Sequence, residues 1–262
     1  MLPRARSDAP CLNDFMSLNL SEVVAVVLAG GAGTRVQHLL GNLPKPMAPV
    51  EGKPFLEWLV RYLAKQGLKR VVISTGYRAE MVAAYFDSQP VPGVATSCVA
   101  ETAPLGTAGG VLHAVRQSQL KPPAWLVLNG DTLCFANLKI ATMELGDPDV
   151  SGVIYAREVP DASRYGSLVM DTSGCLAEFV EKRPGKGLIS TGVYLLRDEL
   201  VRTFPDRTPL SLERDVFPEL AARRTLLKVE PMNTPFLDIG TPESLPLAGD
   251  FIRRNREQFA LA

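Results

Sequence analysis

The sequence predicts an α/β fold, a mostly parallel sheet flanked by helices with a β-rich second half, and three observations carry that expectation. The apolar run from Val23 to Leu28 reads as a buried strand that empties into Gly30, Gly31 and Gly33. Between Pro54 and Ala100, helical and strand-like segments alternate, the pattern of parallel βαβ units with both sheet faces covered. After Val150 the chain changes to short strand-like stretches separated by glycine and proline turns. At 262 residues the chain is long enough to bury one large core, and a single domain is expected over 22–262, with halves of about 22–135 and 136–262.

The elements follow in order. Pro54 to Leu63 places apolar residues at helical spacing, begins with proline and runs to Gly67, so a helix is expected. Arg70–Thr75 reads as a strand, Ala79–Phe86 as a helix, Gly93–Ala100 as a strand, and a helix follows the glycines near 110 as far as Gln117. Thr107 is its expected cap. Trp125–Leu128 is a buried strand ending in Asn129-Gly130-Asp131. In the second half Val150–Arg157, Ser167–Met170, Ala177–Val180 and Gly192–Leu196 read as strands. Leu210–Arg223 looks helical, capped by Ser211 and interrupted by Pro218; Thr225–Val229 is a strand, and a short strand, a turn and a final helix follow Thr234. In open sheets of this kind, Rossmann-like in their alternation, loops at the carboxyl ends of the strands line the ligand crevice.

One such loop, Gly30 to Lys45, is a phosphate site by construction. Glycines let backbone N–H groups close on an anion, while Arg35 and Lys45 supply opposing charge. It is not a P-loop, because Thr34 and Arg35 follow Gly33 where a Gly-Lys-Ser/Thr ending is needed. A dinucleotide fingerprint fits poorly too, since position 36 is Val36 and Gly41, Pro44 and Pro46 make the next stretch irregular. Asp131, at a strand terminus on the same rim, is placed to bind Mg²⁺ through hard carboxylate oxygen; taken alone, it would be an ordinary turn aspartate.

Composition narrows the partners. Lys plus Arg and Asp plus Glu are 28 each, so no overall field favours nucleic acid or an anionic membrane, and any polyanion site must be local. No apolar run approaches membrane-spanning length. Cys11, Cys98, Cys134 and Cys175 are scattered without a C-x-x-C pair, which fits a reduced cytoplasmic setting. With only His38 and His113, read as loop or helix-surface residues, zinc sites and Ser-His chemistry have little material. Residues 1–21 read as a flexible tail without the apolar core of a secretory signal, and Met16 is an alternative start.

LAGGAGTR followed by LPKP resembles the signature of the sugar-1-phosphate nucleotidylyltransferases, and F-x-D-I-G-T-P-E near the end resembles another of that family's strings. The resemblance runs from about Val23 to the final helix and implies a nucleotide half followed by a β-rich sugar-binding half. It implies the reaction of a nucleoside triphosphate with a sugar 1-phosphate, giving a nucleoside diphosphate-sugar and pyrophosphate, with Mg²⁺ as cofactor. Leu28, Gly30, Gly31, Gly33, Glu101, Gly106 and Thr107 would hold the nucleotide; Arg35, Lys45 and Lys182 would be the catalytic cations. Gly166, Glu181, Lys182 and Gly192 would surround the sugar phosphate, and Asp131 and Asp238 would hold the metal. Where the family commonly has proline directly after the lysine, Arg183 intervenes.

The segment Glu101-Thr102-Ala103-Pro104-Leu105-Gly106-Thr107 resembles the family's base-recognition loop. A carboxylate only accepts hydrogen bonds, and guanine offers adjacent N1–H and N2–H donors, which adenine, thymine and uracil do not match, so GTP is the favoured triphosphate. LPKPMAPVEGKPFLEWLV, PLGTAGG and FLDIGTPE most resemble the guanylyltransferases that activate D-glycero-α-D-manno-heptose 1-phosphate. Mannose-1-phosphate guanylyltransferases and N-acetylmuramate-1-phosphate uridylyltransferases have closely similar loops. Some chains of this fold serve as non-catalytic regulatory subunits, against which retention of Arg35, Lys45, Asp131 and Asp238 argues. A glycosyltransferase would need a D-x-D motif, but Thr132 and Leu133 follow Asp131. No β-helix repeat is visible, which suggests a catalytic domain alone, with a homodimer as the candidate assembly.

Overall fold

The computed structural model describes residues 18–181 and 183–261. In chain order the first half comprises β1 (Val24–Ala29), α1 (Gln37–Leu40), the ribbon β2 (Pro49–Val50) and β3 (Lys53–Pro54), α2 (Phe55–Lys65), β4 (Arg70–Thr75), α3 (Ala79–Ser88), β5 (Ala95–Ala100), α4 (Thr107–Ser118), β6 (Ala124–Asn129) and β7 (Thr132–Cys134). The second comprises α5 (Leu138–Glu144), β8 (Gly152–Val159), β9 (Gly166–Met170), β10 (Leu176–Glu181), β11 (Gly187–Arg197), α6 (Asp198–Arg202), α7 (Phe217–Ala222), β12 (Leu227–Pro231), β13 (Phe236–Asp238) and α8 (Ala248–Arg254).

Among the described residues, one nine-stranded sheet runs through both halves. Its parallel core is β5-β4-β1-β6, with β1 paired to β4 on one side and β6 on the other. β1 is therefore a point where strand order reverses, and the loops leaving β1, β5 and β6 open into the crevice expected there. Beyond β6, the long strand β11 pairs antiparallel with β6, β8 and β9, carrying the sheet into the second half.

β1 shows why the sheet is two-sided. Val24 and Val26 pack into one core with Ala108, Val111 and Val115 of α4, while Ala25 and Val27 pack into the other with Phe55, Leu59 and Leu63 of α2. Strand periodicity of two sends alternate residues to opposite faces, and both faces are covered, so β1 reads as a continuous apolar run. Leu18 and Leu20 pack against the α2-side core, so the expected tail does not extend to residue 21; residues 1–17 lie outside the described chain.

The expected helix over 210–223 is divided. A π-helical turn, Leu212–Val216, precedes α7, and Ser211 caps that turn by accepting from the Arg214 N–H at 3.2 Å. Pro218 sits in the first turn of α7, which follows the π-helical turn directly, so the winding changes beside the proline expected to interrupt the helix. The short strand expected after Thr234 is β13, but β7 and the antiparallel β7–β13 pairing are absent from the sequence expectation, because a three-residue strand such as β7 carries too little periodicity to be seen.

Glu57 on α2 is a buried carboxylate, 3% exposed. Burial pushes its pKa up, but hydrogen bonds from Tyr85, Lys53 and Arg61 outweigh this and leave it below the ordinary carboxylate value. Lys53 Nζ lies at 2.9 Å and Arg61 Nε at 2.7 Å. A depressed folded pKa stabilises the fold above the unfolded value and ceases to do so as pH falls through the folded one. Glu57→Gln is therefore expected to cost ~1–3 kcal/mol at neutral pH. The difference between variant and parent should shrink in acid, as read from urea midpoints; a constant difference would refute the linkage.

Candidate functional site

β1 ends at Ala29, and the glycine loop begins against its neighbours' carboxyl ends. A cavity of about 370 Å³ opens there, walled by Leu28, Gly30, Gly31, Lys45, Glu101, Gly106, Thr107 and Asp131 from the predicted set, with Pro104, Leu105 and Asn129 added. A larger groove of about 710 Å³ along the edge strand β5 contains none of the predicted residues.

Glu101 is threaded between two glycines: a Cβ on Gly30 would lie 2.9 Å from its Oε1, and one on Gly110 would lie 2.8 Å away. Ser74 Oγ donates to Oε1 at 2.8 Å and the Leu105 N–H to Oε2 at 3.3 Å. Each carboxylate oxygen has room for a second donor, so the group retains capacity toward a ligand in the cavity.

Contrary to the sequence expectation, Thr107 does not cap α4. Gly106 occupies the cap position at φ +79°, and no side chain caps the helix. The Thr107 hydroxyl instead donates to Glu213 Oε2 at 2.7 Å and accepts from the Leu212 N–H at 2.8 Å. A partner brought in by the fold outcompetes the local cap.

The two predicted metal aspartates come together through the short ribbon. Asp238 on β13 pairs with Thr132 on β7, the residue after Asp131, and the Ile239 N–H donates to the Asp131 carbonyl at 3.0 Å. Burial, and then the neighbouring Asp131 charge, hold the Asp238 carboxyl above its ordinary pKa; the Gly240 N–H at 2.6 Å, Lys45 and Arg35 act in the opposite direction. Lys45 and Asp131 form an ion pair. Two carboxylates and two cations thus lie close together, with Asp131 and Lys45 in the cavity wall.

The remaining predicted residues have distinct positions. Gly33, at φ +62°, backs the stem of Lys45: a Cβ there would lie 2.8 Å from Lys45 Cβ. Arg35 is exposed, and its charge reaches Asp238. Gly166 pairs with Glu181 across β9 and β10, and a Cβ on it would enter the Phe179 ring at 2.7 Å. Gly192, at φ +74°, leaves room for the Asn129 amide, which a Cβ would meet at 2.3 Å. This contact links the second half to the cavity wall. Lys182 lies outside the described residues.

Sequence reasoning missed Asn129 and Tyr165. Asn129 ends β6 directly before the Gly130-Asp131 turn, and that position at a strand terminus was its available signal. Tyr165 meets Phe236 edge-on, with ring centroids 6.3 Å apart. Burial and then the Asp238 charge raise its pKa against the opposing Arg164 and Arg35, which places it beside the aspartate pair.

Residues 24–255 match the family described as Nucleotidyl transferase. The chain belongs to that family. A nucleotidyl transferase relative from Campylobacter jejuni, named D-glycero-alpha-D-manno-heptose 1-phosphate guanylyltransferase, is 33% identical over 223 residues, spanning 84% of this chain and 95% of the relative. A mannose-1-phosphate guanylyltransferase from Mycobacterium tuberculosis is 31% identical and spans 88% of this chain, but the match covers 63% of that longer protein. Among solved structures, HddC from Yersinia pseudotuberculosis complexed with GMP-PN is 33% identical with a TM-score of 0.73, covering 87% of this chain and 98% of its own. Within the described residues, no helix of this nucleotidyl transferase is long and apolar enough to cross a membrane.

Proposed function

We propose that this nucleotidyl transferase is a magnesium-dependent guanylyltransferase acting on D-glycero-α-D-manno-heptose 1-phosphate. The observation that carries the reading is one continuous site, in which a glycine-walled cavity with an acceptor carboxylate, Glu101, opens beside the Lys45–Asp131–Asp238 cluster. The heptose-phosphate name of the Campylobacter jejuni relative and the GMP-PN bound to the Yersinia pseudotuberculosis protein support the two substrates.

The donor set fits Mg²⁺. Two crowded carboxylates, with no third acidic, histidine or cysteine side chain completing a cluster among the described residues, match an ion that takes one or two carboxylates and fills its shell with water and phosphate. Asp131 and Asp238 would hold it, and when bound it would supply positive charge to the reacting phosphates. The chain's own groups do the rest. Backbone N–H groups of Gly30 and Gly31 receive the triphosphate, and Arg35 holds the departing pyrophosphate. Lys45 and Lys182 draw the sugar phosphate toward the α-phosphorus. A sugar phosphate oxygen forms the new bond to phosphorus as the bond to pyrophosphate breaks, and the electron pair leaves on pyrophosphate. The attacking phosphate is already ionised near neutral pH, so no protein base is required. Catalysis is positioning and charge compensation.

Pyrophosphate release measured with GTP and a panel of heptose, mannose and N-acetylmuramate 1-phosphates tests the reading. The heptose phosphate is expected to give the highest kcat/KM; release confined to UTP with N-acetylmuramate 1-phosphate would overturn it. Bound nucleotide with no release from any sugar would favour a non-catalytic subunit. In a mixture of GTP, dTTP, UTP, CTP and ATP, GTP is expected to win by about 10–100-fold, the discrimination one bidentate base contact gives. A clear pyrimidine preference would remove Glu101 as a guanine reader.

A further inference from the structure

The π-helical turn Leu212–Val216 is clamped onto the base-side loop. The Leu210 N–H donates to the Leu105 carbonyl at 2.8 Å, and the Leu210 carbonyl accepts from the N–H groups of Ala108 at 2.9 Å and Gly109 at 3.1 Å. Gly106 is pressed against the same carbonyl, which a Cβ would meet at 2.4 Å. Glu213 completes the clamp, its Oε2 accepting from Thr107 Oγ1 at 2.7 Å and from Ser211 Oγ at 3.0 Å.

The other oxygen faces the opposite half. Tyr194 on β11, 1% exposed, donates its hydroxyl to Glu213 Oε1 at 3.4 Å, and its oxygen lies 2.9 Å from Ser190 Oγ. With the Tyr194 proton directed to Glu213, the Ser190 hydroxyl donates to Tyr194 while accepting from the Gly192 N–H at 3.2 Å, and the chain of donors ends on the carboxylate. Gly192 in turn abuts Asn129 in the cavity wall. Burial, and next the Glu213 charge, raise the Tyr194 pKa well above the ordinary phenol value, so this hydroxyl stays a donor.

We propose that Glu213 is a positioning residue that sets the base-side loop Leu105–Gly109 and the Ser190–Tyr194 segment of β11 at a fixed separation, each held by one oxygen of the same carboxylate. It touches neither substrate on this account. The Thr107 arm fixes where the base sits; the Tyr194 arm fixes where Gly192 stands and, resting on the function proposed above, where the sugar phosphate is received. π-Helical turns are rare and recur at functional sites, in keeping with a segment held in an unusual winding to present this carboxylate.

Steady-state kinetics of Glu213→Ala, Glu213→Gln, Thr107→Val and Tyr194→Phe, with melting temperatures measured alongside, test this. Thr107→Val is expected to raise KM for GTP, and Tyr194→Phe to raise KM for the sugar 1-phosphate, each about tenfold. Glu213→Ala should raise both, and Glu213→Gln, which keeps one acceptor oxygen, should restore part of the loss. A merely structural role would lower the melting temperature and the active fraction while leaving both KM values in place. That result, or both arms moving the same KM, would overturn the inference. Absence of sugar-dependent turnover in the parent protein would instead remove the function on which the sugar arm rests.

Discussion

Asp238→Ala is expected to lower pyrophosphate release by about 10²–10³-fold, the loss typical of removing one charge-stabilising group from a transition state. The carboxyl sits at the end of β13 beside Asp131, half-buried, with the Gly240 N–H fixed on one oxygen. Burial and Asp131 both disfavour its ionised form. Ionising it therefore works against the fold's stability, as expected of a group kept for chemistry. The sign for stability follows. A carboxyl whose pKa is raised on folding costs stability above its unfolded pKa, so its removal should leave the neutral-pH melting temperature unchanged or higher. Asp238→Asn keeps the size and the Gly240 contact while losing the charge, and should be equally inactive. A folded Asn variant with near-parental turnover would refute the assignment.

Lys45→Met is expected to cost a similar ~10²–10³ in turnover, for a different reason. The ammonium pairs with Asp131, and the aliphatic stem lies against Gly33. Methionine retains that stem and deletes the charge. Lys45 is one of two cations lowering the Asp238 pKa. Without it, Asp238 protonates at higher pH, and the acid limb of the pH–rate profile should move upward in the variant. Measuring kcat and each KM across pH separates the effects: KM for the sugar phosphate should rise more than KM for GTP. An unchanged acid limb together with unchanged kcat would show that Lys45 has no part in the site.

The glycine-walled cavity was legible because it is local. A buried strand followed by glycines, with Arg35 and Lys45 nearby, needs no distant partner to be read as an anion cradle, and the cavity wall contains Gly30, Gly31 and Lys45. Glu101 and Asp131 were legible through their positions at the carboxyl ends of recognisable strands, where loops of a parallel sheet line a crevice. Thr107 was misread as a cap because the residue that claims its hydroxyl, Glu213, is far away in sequence and follows a segment that reads as one interrupted helix. Asn129 and Tyr165 were missed because their side chains matter through contacts with Gly192 and with Phe236 and Asp238, none of them near neighbours in the chain.

By itself the sequence determined the parallel core, the glycine cradle and the kinds of charge available to it, because periodicity and backbone freedom are properties of short stretches. Only the tertiary structure decided which charges meet. The β7–β13 pairing brings Asp238 to Asp131, and the order of strands around β11 brings Tyr194 to Glu213. Sheet order and strand register depend on burial across the whole core, and no single segment encodes them.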